Sequence, residues 1–152
     1  MTSELVTPAA TTLPTPTPPT LIDVLLAEDD GDLRDALTDT LEDAGYTTAP
    51  FANGQEALEW LQGTTRLPSL VLIDMRMPVM DGWQFRQRQL EDPAIARVPV
   101  VMLSALSDIA ESVGVEHLKK PIQVSALLVV VAQHCGPRHE PPSEGEFVRR
   151  SE

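Results

Sequence analysis

Asp74 ends the apolar run 70–73, and Glu28 and Asp29 end the run 21–27. A third apolar run, 98–103, ends on a hydroxyl, Ser104, and a shorter segment from His117 ends on an ammonium, Lys120. Runs of this kind fit strands buried on both faces, as in a parallel sheet. Open α/β sheets bind their ligands at the carboxyl ends of the strands, where these four polar positions fall. Acids on two strand ends make a cluster that needs a cation. Magnesium, or manganese in its place, takes oxygen ligands in octahedral geometry and keeps some of its waters. Asp29 and Asp74 can supply two of those oxygens. Asp30 extends the acid run but reads as a helix-starting residue, and Asp81-Gly82 reads as a turn.

The elements that position these ends alternate along the chain. Leu33, Leu37 and Leu41 recur every four residues and predict a helix that stops near Gly45. Residues 46–51 form a short second strand, and Asn53 can cap a helix carrying Ala57, Leu58 and Leu61. Strand 70–73 leads to a helix over 83–90, and strand 98–103 to a short helix near 107–113. A strand near 115–118 and a helix over 124–134 complete the series. Five βα repeats predict a doubly wound, five-stranded parallel sheet with helices on both faces. Residues 21–135 form this domain; the Thr/Pro-rich stretch 1–20 and the tail 136–152 are expected to be disordered.

The polar strand ends also follow a familiar order. Glu28-Asp29, then Asp74 before Met-Arg-Met-Pro-Val-Met-Asp81-Gly82, then Ser104-Ala105 and Lys120-Pro121, resemble the receiver domain of two-component response regulators. The resemblance covers about residues 21–135 and implies a flavodoxin-like fold in a single-domain, chemotaxis-regulator-like protein. It makes Asp74 the phosphoacceptor, with Mg2+ or Mn2+ held by Asp29, Asp74, the Arg76 carbonyl and, through water, Glu28. A cation removes the repulsion between a carboxylate and an incoming phosphoryl group. Ser104 can donate to one phosphoryl oxygen and Lys120 can pair with another, covering the charge that develops during transfer. Ser104 and His117 stand at the switch positions, and the sequence permits a cis Lys120-Pro121 bond, as in the family. The donor implied is the phosphohistidine of a sensor histidine kinase or phosphotransfer protein, or a small phosphodonor. The protein target downstream is unknown. Such a domain is a phosphoacceptor switch rather than an enzyme, with at most weak self-phosphorylation and self-dephosphorylation.

Three places depart from the pattern. His117 stands where receivers carry Tyr or Phe; its ring is planar and can swing similarly but is polar. Fifteen residues separate Ser104 from Lys120, about one to two turns fewer than is common, which predicts a short fourth helix and speaks against the usual dimer on that face. Arg76 and Leu106 border the approach of attacking water, and their bulk predicts a long-lived phosphoprotein. The last helix is apolar nearly all round, and Val129 and Val130 mark either excess core or a partner interface.

Composition excludes several other classes. A net charge of −12 argues against direct nucleic-acid binding, which draws on Lys and Arg. Between Glu28 and Asp43 eight acids face Arg34 alone, mostly as a solvated helix face. Cys135 is the single cysteine, so no internal disulfide forms; with no signal peptide or membrane-length run, the expected compartment is the cytoplasm. No output module is expected in residues 136–152. An aspartyl-phosphate phosphatase of the haloacid dehalogenase type also uses a strand-end Asp, but it wants a second Asp where Arg76 stands. The alternative that keeps the fold is a pseudo-receiver, a phosphorylation-independent protein-binding module.

Overall fold

The apolar runs become strands and the periodic stretches become helices. In chain order the elements are β1 (Val24–Ala27), α1 (Gly31–Asp43), β2 (Thr48–Phe51), α2 (Gly54–Gly63) and β3 (Leu70–Asp74). They continue with α3 (Gly82–Leu90), β4 (Val100–Ser104), β5 (Glu116–Lys119) and α4 (Val124–Cys135). The structure is a computed structural model and describes residues 21–105 and 115–137. The helix expected near 107–113, Leu106, the arm 1–20 and the tail from residue 138 lie outside the described residues.

All strand pairings are parallel, in the order β2-β1-β3-β4-β5. Successive strand residues point to opposite faces, and that period of two divides the core. Leu25, Ala27, Val71, Ile73 and Met102 pack with Leu58 and Leu61 of α2 and Phe85 of α3. Val24, Leu26, Leu70, Leu72 and Leu103 pack on the other face with Leu41 of α1 and Leu127 of α4. The sheet is doubly wound, as expected. The strand order reverses between β1 and β3, so their carboxyl ends flank the crevice where such sheets hold ligands.

β1 starts at Val24, three residues later than the apolar run, because Asp23 has another task. It is buried, its carboxylate accepts from the Thr47 amide (2.9 Å), and its carbonyl accepts from the amides of Ser69 (2.9 Å) and Leu70 (3.1 Å). One polar residue thus ties the starts of three strands. At the edge, the amides of Val24 and Glu28 donate to the carbonyls of Thr47 and Phe51. By alternation, Pro50 turns its backbone outward, where its missing N–H removes no ladder bond. Among the described residues no helix is long and apolar enough to cross a membrane.

Candidate functional site

The β1–α1 connection brings the first acids to the crevice. Asp30 is the N-cap of α1, and its side chain accepts from the amides of Asp32 (3.0 Å) and Leu33 (3.2 Å). That occupation fixes it as a helix starter. Glu28 is fully buried; its Oε2 accepts from the Asp30 amide at 3.1 Å. Asp29, between them, is exposed.

Asp74 ends β3 and is 6% exposed. The chain then folds back tightly: a Cβ on Gly82 would lie 2.7 Å from the Asp74 carbonyl oxygen, so only glycine fits there. Asp81 caps α3 through a capping box with Gln84, which sets the exit from that turn. Asp74 Oδ1 accepts from the Arg76 amide (3.2 Å) and Oδ2 from Lys120 Nζ (3.0 Å). The Arg76 side chain is exposed.

Lys120 follows β5, and its amide donates to the Ser104 carbonyl at 2.7 Å, which holds the ends of β4 and β5 together. The Lys120-Pro121 bond is cis. Its ammonium lies between two acids, 3.0 Å from Asp74 and 3.2 Å from Glu28 Oε1. The second contact is an ion pair without hydrogen-bond geometry, so Glu28 Oε1 is buried and unbonded. The Ser104 hydroxyl is also fully buried and unbonded. Carboxylate oxygens of Glu28, Asp29 and Asp74 all lie within 4.8 Å of one another.

The electrostatics follow from this crowding. Burial, then the adjoining Asp74 carboxylate, pushes the Glu28 carboxyl up to about 7, against the pull of the Asp30 amide and Lys120. Burial lowers the affinity of Lys120 for its proton, but pairing with Asp74 and Glu28 outweighs it, and the net shift is upward. Three carboxylates crowd together while the one ammonium pairs with two of them, and two buried oxygens lack a hydrogen bond. A small divalent cation with oxygen preference suits this donor set.

Glu28, Asp29, Asp74 and Lys120 therefore converge, with the orphaned Ser104 hydroxyl on the neighbouring strand end. His117 does not join them. It is half-buried within β5, opposite Met102, and makes no hydrogen bond or ion pair among the described residues. On α4, Val129 is 57% exposed, whereas Val130 is partly buried against the core. Arg34 has a contact that sequence reasoning did not assign: Nη1 donates to the Glu28 carbonyl oxygen at 2.8 Å. Its available signal was the lone base in an acid run, one turn into a helix.

Known proteins resemble this chain in sequence and in fold. A family model described as the response regulator receiver domain matches residues 24–132. An uncharacterised 14.6 kDa protein from the sodA1 3′ region of Leptolyngbya boryana is 32% identical over 120 residues, covering 75% of this chain and 90% of that protein. Response regulator Rre1 of Synechocystis is 40% identical over 85 residues, covering 55% of this chain but only 36% of Rre1. Among solved structures, Vibrio cholerae chemotaxis protein CheY4 matches with a TM-score of 0.64 and 28% identity, over 76% of this chain and 99% of its own. The receiver domain of a Syntrophus aciditrophicus histidine kinase gives 0.68 and 28%, over 80% and 97%. With the sheet order, the strand-end acids and the family match in agreement, this chain belongs to the response regulator receiver domains of two-component systems.

Proposed function

We propose that residues 21–135 act as a phosphoacceptor switch, with Asp74 taking a phosphoryl group from the phosphohistidine of a sensor histidine kinase or phosphotransfer protein. The convergence of Glu28, Asp29 and Lys120 on Asp74 at the crevice carries this reading. Mg2+ or Mn2+ would be held by Asp29, Asp74 and the Arg76 carbonyl, with Glu28 acting through water. When bound, it offsets the negative charge of the acceptor carboxylate and the incoming group.

The chain's own residues do the rest. An Asp74 carboxylate oxygen forms the new P–O bond as the donor's P–N bond breaks, and the leaving imidazole nitrogen takes up a proton. Lys120 exchanges its contact with Asp74 Oδ2 for a phosphoryl oxygen. The Ser104 hydroxyl, which spends its proton on no other group, donates to a second oxygen. Following the new group moves the ends of β4 and β5, whose backbones are already joined, and this biases the domain between two states. His117 on β5 would report that movement, and the altered surface would change binding to a downstream protein. A phosphohistidine donor makes the cytoplasm the place of action.

Intact mass after incubation with acetyl phosphate and MgCl2 tests the reading. One added phosphoryl group is expected on the wild type and none on Asp74→Asn. No adduct on either protein, with no magnesium-dependent response to beryllofluoride, would favour a binding module without phosphoryl chemistry.

A further inference from the structure

Asp29 is the exposed member of the acid cluster, and no hydrogen bond of its own side chain holds it there. Its orientation must come from the backbone on either side. A peptide unit is planar, so fixing its oxygen or its hydrogen fixes the whole plane. The Asp29–Asp30 plane is held through its N–H, which donates to Glu28 Oε2 at 3.1 Å. The Glu28–Asp29 plane is held through its carbonyl oxygen, which accepts from Arg34 Nη1 at 2.8 Å. Side chains of an α-helix lean toward its N-terminus, which is how a residue one turn into α1 reaches back past the cap. The guanidinium lies over the first turn, with Nη2 3.5 Å from where a Cβ on Gly31 would stand. Glu28 lies one residue beyond β1; its N–H joins the Phe51 carbonyl, and its own carbonyl takes its bond from Arg34.

We infer that Arg34 is a positioning residue for the cation site: it clamps the Glu28–Asp29 peptide so that both carboxylates face Asp74. This rests on the cation reading of the acid cluster. Two roles of Arg34 predict opposite signs. As a bare positive charge against the backbone of Glu28, it would repel a divalent cation at the acid cluster, and its removal would tighten binding. As a clamp, its removal frees the peptide plane and loosens binding.

Manganese titration of the full chain, counting free Mn2+ by electron paramagnetic resonance, separates them. Arg34→Ala is expected to raise the Mn2+ Kd about ten-fold, a typical effect of losing one charged hydrogen bond. Arg34→Lys keeps the charge but loses the planar fork, and it is expected to fall between Arg34→Ala and wild type. Urea melts establish that each variant is folded where Kd is measured; a purely structural Arg34 would move the melt and leave the Kd of the folded protein alone. If Arg34→Ala does not fold, Arg34→Lys carries the test. An unchanged or lower Kd in the folded variant overturns the clamp. Asp29→Asn distinguishes the two failures: if it leaves Kd unchanged, the cation site itself is misplaced and the clamp falls with it.

Discussion

Glu28 spends most of its physiological pH range close to its own titration point, because burial and Asp74 raise its carboxyl from 4.5 to about 7. In the unfolded chain it loses its proton near 4.5; in the folded, metal-free protein it keeps it until about 7. Across that window the folded state binds more protons, so rising pH removes stability. For the metal-free protein, the unfolding free energy from urea melts should fall between about pH 5 and pH 8, by on the order of 2 kcal/mol from this group. Glu28→Gln should flatten that slope, and parallel curves for the two proteins would count against the raised carboxyl. The acids Glu28, Asp29 and Asp74 were legible as single residues, because each ends an apolar run abruptly. The contact of Arg34 was not. It depends on a long side chain curling back over a helix start, which leaves no mark in hydrophobic period.

At the scale of elements, the turn from β3 to α3 is a tight constraint beside the site. A methyl group on Gly82 would stand 2.7 Å from the Asp74 carbonyl oxygen and 3.1 Å from the Met75 Cα, both backbone atoms with little room to yield. Gly82→Ala should therefore destabilise by about 2–3 kcal/mol in urea unfolding, the range of overpacking at rigid sites. A loss below about 0.5 kcal/mol, the scatter of neutral substitutions, would show that the turn can open. The same turn looked in sequence like punctuation only, since nothing local reveals which backbone the glycine will meet. Strands were legible from their apolar runs, while their starts were not. Asp23 diverts the start of β1 into cross-strand bonds, and β4 begins after Pro99, whose carbonyl serves the Val71 amide. β5, with the sequence Glu-His-Leu-Lys, has no apolar run and was readable only from its place before Lys120-Pro121.

For the whole molecule, the fold class follows from the βα alternation, but the strand order does not. Periodicity says that five strands exist; it does not say that β1 and β3 are neighbours, which is what gathers Glu28, Asp29 and Asp74. The acids on two strand ends already pointed to a cluster, and the resemblance supplied the strand order. The surface then divides by chemistry: α1 presents acids, while α4 beside it has no Asp, Glu, Lys or Arg and leaves Val129 open to solvent. Val129→Glu should leave stability within about 0.5 kcal/mol and acetyl phosphate labelling intact, as expected for an exposed site. Transfer from a phosphorylated kinase should slow if a partner helix docks on that face; an unchanged rate would place docking elsewhere. The outward-facing Pro50 narrows the choice of recognition further. A partner that binds by adding a strand needs a continuous row of amide hydrogens along the rim of β2, and Pro50 breaks that row at its middle. At this rim an added strand would lose a ladder bond at Pro50, so edge-to-edge pairing of two copies is disfavoured there.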